Sequence, residues 1–197
     1  MPNWCSNELT IQGADVPKII DIMKNSDSIF ESLIGTDPAV SKPIQDWYNH
    51  NINWFGTKWD VAQDQIYWID TNDSTFLSVS FETAWSPPVP FFETLCNKYN
   101  ISGASLKYAE YGMNFSGVVD FDGHDTSSIE YDSCSEGVYR HNPESFWDEI
   151  DSNLNYCAEE GEDIDAVLQQ YEYLNEYDRE TLINKYKSIQ NELANNQ

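Results

Sequence analysis

Between Asp120 and Glu180 the chain carries 19 acidic side chains, with only Arg140 and Arg179 against them. Like charge at that density works against compactness. No other stretch constrains the fold as tightly. Over all 197 residues, 34 Asp and Glu face 10 Lys and Arg, a formal balance of −24. The excess is lopsided: residues 1–100 stand at −8 and residues 101–197 at −16. A chain that keeps this repulsion, yet is 14% aromatic, presents its charge to something basic. Nucleic acid and anionic membrane are thereby excluded as direct partners. A protein that itself handles nucleic acid is the natural partner. The plain alternative is that the acids serve solubility alone.

Hydrophobic residues make up 40% of the chain, with 7 Trp, 12 Tyr and 9 Phe, which supplies a packed core. The length suits one domain with an appendage. No apolar run approaches the ~18 residues of a membrane span. The first residues, Met-Pro-Asn-Trp-Cys, lack the basic and apolar regions of a signal peptide. Cys5, Cys96, Cys134 and Cys157 show no CxxC spacing and read as reduced thiols. A cytoplasmic setting, in a bacterial host, is the expectation.

Residues 4–12 predict a strand, closed by Gly13. Asp15 is placed to cap a helix with Pro17 in its first turn and Ile19, Ile20, Met23 and Phe30 at helical spacing. Residues 35–60 predict a long aromatic connection with Pro38, Pro43, Trp47, Tyr48, Trp54 and Trp59. Residues 66–70 and 75–82 predict a hairpin turning at Thr71–Ser74, because Leu77, Val79 and Phe81 alternate with Phe76, Ser78 and Ser80. A helix beginning near Ser86 would bury Phe91 or Phe92, Leu95, Cys96 and Tyr99. Two strands, 104–110 and 115–121, follow. This order is the split βαβ, ferredoxin-like plan with one extra strand. The predicted architecture is α+β: a ferredoxin-like core over 1–122 and an acidic, mainly helical extension over 123–197. Residues 122–142 have no clean period. Three amphipathic helices are predicted between 143 and 194, the last capped by Asp178, and Asn195–Gln197 should fray.

Four local patterns carry a resemblance. They are Met1-Pro-Asn-Trp-Cys-Ser-Asn-Glu-Leu9, Trp54-Phe-Gly-Thr-Lys-Trp-Asp60, Phe81-Glu-Thr-Ala-Trp-Ser-Pro-Pro88 and, more weakly, Tyr108-Ala-Glu-Tyr-Gly-Met-Asn-Phe-Ser-Gly117. In this order, over residues 1–122, the chain resembles the phage- and plasmid-borne YubB-like proteins. That resemblance implies a ferredoxin-like domain and a mobile-element origin, and no established enzymatic activity. Residues 123–197 fall outside the pattern.

Trp54, Lys58, Trp59 and Asp60 form a possible small site, since Lys58 and Asp60 share a face of an extended segment. A lysine beside a carboxylate among aromatic rings suits catalysis. The competing reading is structural: Trp54, Trp59 and Trp85 are substantially buried and Lys58 pairs with a carboxylate. Asp120-Phe-Asp-Gly-His-Asp125 resembles a calcium loop, but its spacing is wrong for an EF-hand. His50, His124 and His141 lie far apart, so neither a metal nor a cofactor is expected.

The acidic helices point further. Residues 144–180 hold 13 carboxylates, about one per 4 Å of helix. A DNA strand presents a phosphate about every 3.4 Å. Glu144, Asp148, Glu149, Asp151, Glu159, Glu160, Glu162, Asp163 and Asp165 are therefore the predicted partner-binding residues. The leading expectation is a phage-type anti-defence inhibitor without enzymatic activity. It would occupy the basic groove of a CRISPR effector or restriction enzyme by imitating nucleic acid. The alternative is an interaction module using the aromatic loop. A third reading is an enzyme using Lys58 and Asp60.

Overall fold

The computed structural model describes residues 3–40, 44, 46–71 and 74–195. Met1, Pro2, Pro43, the predicted turn residues Asn72 and Asp73, and the terminal Asn196 and Gln197 lie outside them. The chain divides into two compact units, Met1–Cys134 and Ser135–Gln197.

The first unit is built on an antiparallel six-stranded sheet. Its strands are β1 (Trp4–Gly13), β2 (Tyr67–Asp70), β3 (Phe76–Ala84), β4 (Ile101–Glu110), β5 (Phe115–Phe121) and β6 (Thr126–Tyr131). They lie in the order β2-β3-β1-β4-β5-β6. The four strands β2-β3-β1-β4 are the ferredoxin-like sheet, with the helices as crossovers; β5 and β6 extend one edge. Period two explains the core. Cys5, Asn7, Leu9 and Ile11 of β1 are buried, and Ser6, Glu8 and Gln12 are exposed. Leu9 sits opposite Val79 on one side and Leu106 on the other, so one apolar row crosses three strands. Helices α1 (Val16–Lys24), α2 (Ile29–Ile34) and α4 (Val89–Lys98) supply the other half of this core through Ile19, Met23, Phe30, Leu33, Phe91 and Leu95. Phe30 stacks on Phe91 with ring centroids 4.0 Å apart.

The structure departs from the sequence reading in several places. Helix α1 stops at Lys24, and Asn25-Ser-Asp-Ser28, all turn formers, separates it from α2, which carries Phe30. Asp15 does not cap α1 with its side chain; its Oδ2 accepts the Asn100 amide at 2.8 Å instead. The connection over 35–60 contains helix α3 (Trp47–Trp54), of which only His50 is buried. A helix without an apolar stripe leaves no period to read. For the same reason β6 was illegible: five of its six side chains are exposed. Because β6 pairs with β5 from Phe121↔Thr126 to Ser116↔Tyr131, the sheet unit continues past residue 122 to Cys134. A fragment of residues 1–134 is expected to melt cooperatively in circular dichroism, and a fragment ending at 122, stripped of β6, to melt at a lower temperature.

In the second unit, helix α5 (Cys134–His141, its first residue closing the sheet unit) leads into the three predicted helices. These are α6 (Pro143–Glu159), α7 (Ile164–Gln169) and α8 (Glu176–Asn195). Phe146, Ile150, Leu154, Cys157, Val167, Tyr171, Leu182 and Tyr186 form their own core. Pro143 opens α6, and the Asn142 side chain accepts the Ser145 amide at 3.3 Å. The cap of α8 is Asn175 rather than Asp178. Asn175 Oδ1 accepts the Asp178 amide at 2.9 Å, and Asp178 Oδ2 accepts the Tyr139 hydroxyl at 2.5 Å. Among the described residues no helix is long and apolar enough to cross a membrane.

All four cysteines are free and buried. Burial pushes the thiols of Cys5 and Cys96 up to about 12. Since the thiolate is the reactive form, a disulfide reagent is expected to leave the native protein almost unmodified at pH 8. In denaturant all four thiols should react. Rapid titration of any thiol in the native state would contradict this.

Candidate functional site

Three of the four sequence patterns meet at one end of the sheet. Trp4 opens β1, directly opposite Ala84 at the end of β3, and Trp85 follows at once. Cys5 lies opposite Glu110 on the other side. The segment after α3 passes here too, bringing Lys58 and Trp59. Trp4 and Trp59 have ring centroids 6.2 Å apart. The Lys58 ammonium lies 4.5 Å from the Trp59 centroid and 4.6 Å from that of Trp85. A cation held between two indoles is attracted by both ring faces. Lys58 makes no ion pair among the described residues.

Hydrogen bonds beneath the rings tie the patterns together. Asn7 Nδ2 donates to the Cys5 carbonyl at 2.8 Å and to Thr83 Oγ1 at 2.9 Å. Thr83 Oγ1 donates to the Ser86 carbonyl at 2.7 Å, and Ser86 Oγ to the Gly56 carbonyl at 2.6 Å. Thr57 Oγ1 donates to the Ala84 carbonyl at 3.1 Å. Asn7, Thr57 and Thr83 are all buried, so these partners are obligatory. Gly56 sits at φ +84, and a Cβ there would come within 2.5 Å of Pro90 Cδ. Only glycine allows this approach.

The rings themselves are not buried. Trp4 is 42% exposed, Trp59 40% and Trp85 42%, against the expectation that Trp59 and Trp85 lie in the core. Trp85 turns outward through a left-handed backbone, φ +73, with its N–H donating to the Asn3 carbonyl at 2.9 Å. Such a conformation costs a non-glycine residue of order 1–3 kcal/mol and gathers at functional sites. Trp54 alone behaves structurally: it is half-buried and its Nε1 donates to the Gly35 carbonyl at 2.8 Å. The fourth pattern adds a turn nearby. Buried Glu110 accepts the amides of Gly112 at 2.9 Å and Met113 at 2.6 Å, which leaves Tyr111 and Met113 exposed.

Asp60 is not part of the patch, and the predicted Lys58–Asp60 pair does not form. Asp60 Oδ1 accepts the amides of Phe30 at 2.7 Å and Val61 at 2.6 Å, and Oδ2 accepts that of Glu31 at 2.9 Å. It satisfies the open N-terminus of α2 from thirty residues away. Burial raises its pKa against these three amides, which pull it down. With every amide bond directed into structure, Asp60 is poorly placed to move a substrate proton.

The predicted acidic residues are at the surface. Glu144, Asp148, Asp151 and Glu159 follow one stripe of α6, opposite Phe146, Ile150, Leu154 and Cys157. Asp151 is partly neutralised by Lys185, 2.7 Å away. Glu159 and Glu160 stand at the negative end of α6, where no basic residue offsets the helix dipole. Glu162 is half-buried and accepts from Gln170 Nε2 at 3.4 Å. Asp163 caps α7, accepting the exposed Asp165's amide at 3.0 Å. Glu149 leaves the stripe and flanks the apolar side of α6. In the 120–125 segment, Asp122 Oδ1 accepts the amides of His124 and Asp125, both at 2.9 Å, as a hairpin turn requires. The Asp125 and His124 amides hold its pKa down. Among the described residues no three His, Cys, Asp or Glu side chains gather as metal ligands.

Sequence reasoning found Lys58 and Trp59 but assigned neither Trp4 nor Trp85 to the site, although both lie inside the quoted patterns. The signal was one exposed indole per pattern. No curated protein and no solved structure matches the chain. A family model does match, over residues 58–185. It runs through α7 and into α8, so the acidic helices to Lys185 share this family's pattern. The match is to a ferredoxin-like family and does not reach the finer YubB-like resemblance. With well over half of its length matched, the chain belongs to the family described as the ferredoxin-like domain in Api92-like proteins.

Proposed function

We propose that this protein is a non-enzymatic binding module whose contact surface is the patch of Trp4, Lys58, Trp59 and Trp85. The observation that carries the reading is the exposure of three indoles, each about two-fifths open, on a scaffold of buried hydrogen bonds. Trp is one of the residues enriched among the anchors of binding energy at protein interfaces, and anchors work best on pre-ordered supports. The partner is a basic, nucleic-acid-handling protein of a bacterial host, because a chain at −24 attracts positive surfaces and repels phosphate. The resemblance to phage- and plasmid-borne proteins supports an anti-defence role, against a CRISPR effector or a restriction enzyme. Capture from bacterial lysate with the wild type and with Trp59→Ala, followed by mass spectrometry, tests it. A basic protein should be retained by the first and lost by the second; equal retention would refute the patch.

The exposed stripe of Glu144, Asp148, Asp151 and Glu159 favours a second reading, nucleic-acid mimicry by the helical unit. Each exposed charge contributes little alone. Reversing all four to Lys is expected to slow association with the captured partner at least tenfold at low salt and to flatten its salt dependence. Unchanged rates, with nucleic acid still displaced, would rule out mimicry and leave the indole patch as the binding surface.

A further inference from the structure

The helical unit contains a cavity of about 170 Å³ lined by Ser135, Phe146, Glu149, Ile150, Asn153 and Tyr171. We propose that it is a receptor pocket for one arginine side chain of a protein partner. Its volume is several times the ~30 Å³ share of a water in the liquid, and well short of the ~300 Å³ at which ligand pockets begin. That is room for a single long side chain. The chemistry of the wall is split. Phe146, Ile150 and Tyr171 belong to the apolar core of the unit. Glu149 is exposed and has no ion-pair or hydrogen-bond partner among the described residues.

Among the polar groups of the wall, Glu149 and Asn153 offer acceptor oxygens beside the Ser135 and Tyr171 hydroxyls, which can donate as well. Asn153 Nδ2 donates to Tyr171 Oη at 2.5 Å and to Gln170 Oε1 at 3.5 Å, which uses its two hydrogens. Among the described residues its Oδ1 meets only the Cys157 thiol, at 4.0 Å. A carboxylate and an amide oxygen over an apolar floor call for a donor-rich cation on an aliphatic stem. Lysine and arginine both have that form. Arginine fits better, because its planar guanidinium stacks on aromatic faces and spans two acceptors at once. The −11 formal balance of residues 135–197 favours any cation here. The inference deepens the proposal of a basic partner by naming the side chain it inserts. It uses a different unit from the indole patch, so either can fail alone.

The test is a chemical-shift titration of the full chain with acetyl-Gly-Arg-Gly-amide. Its citrulline twin, which keeps shape and loses charge, and agmatine, a free small molecule, are the controls. The arginine peptide should shift the amides of residues around Glu149 and Asn153, and the citrulline peptide should bind at least tenfold more weakly. Glu149→Gln, a change at an exposed side chain, should weaken the arginine peptide about threefold, the scale of a single exposed charge. Glu192→Gln, an exposed change on α8, should not. Equal binding of the citrulline peptide, indifference to Glu149→Gln, shifts confined elsewhere or no binding would each overturn the proposal. Agmatine binding much more tightly than the peptide would overturn it in favour of a small-molecule amine.

Discussion

Trp59→Ala is expected to weaken partner binding by about thirtyfold or more, the effect of losing an interface anchor worth ~2 kcal/mol. Its ring touches Trp4 and holds one side of Lys58, so its removal loosens two neighbours as well. The cost to folding should be smaller than for a core aromatic. Fully buried rings cost ~3–5 kcal/mol on truncation; a ring 40% exposed should cost about half that. Urea unfolding separates the two effects. Tyr67→Ala, removing a ring 70% exposed on β2, is the control and should change neither quantity appreciably. A binding loss no greater than the control's would show that the indoles are ornament.

The largest effect on stability is expected at Asp60. Alanine there leaves the amides of Phe30, Glu31 and Val61 without their acceptor, at the start of a helix whose Ile29, Phe30 and Leu33 are buried. Losing a cap costs ~0.5–2 kcal/mol, and each buried donor left unsatisfied ~1–3 kcal/mol. Water will reach some of these amides, so a total of about 3 kcal/mol is expected. Asp60→Asn should fall between. Its oxygen can still serve the Phe30 and Val61 amides, but its NH₂ would confront the Glu31 donor. Urea unfolding checks both variants. A cost below about 0.5 kcal/mol for alanine would mean that α2 does not depend on Asp60, and a catalytic role for that carboxylate would regain ground.

The fold was legible where periodicity was strong. Phe76–Phe81 alternates cleanly, and Phe146, Ile150, Leu154 and Cys157 mark a helix face that no other element imitates. It was illegible where elements bury little. Helix α3 exposes Trp47 and Tyr48, and β6 exposes almost everything, so neither prints a pattern on the sequence. The site was half legible for a related reason. The local patterns identified the right segments, but exposure of an indole depends on tertiary facts. Trp85 is open because its backbone turns left-handed after β3, which no composition rule announces. Asp60 misled because adjacency to Lys58 in sequence suggested a pair. The amides it satisfies come from residues 30 and 31, far away along the chain.

The most direct measurement of the central claim places a photo-crosslinking benzoylphenylalanine at position 59, at position 85 or at position 67 and illuminates each in bacterial lysate. All three rings are exposed, so accessibility alone does not distinguish them. The indole-patch account predicts one covalent adduct, with a basic nucleic-acid-binding protein, from positions 59 and 85 and none from 67. Adducts of equal yield from 67, or none from 59 and 85 while the protein still captures its partner, would contradict it.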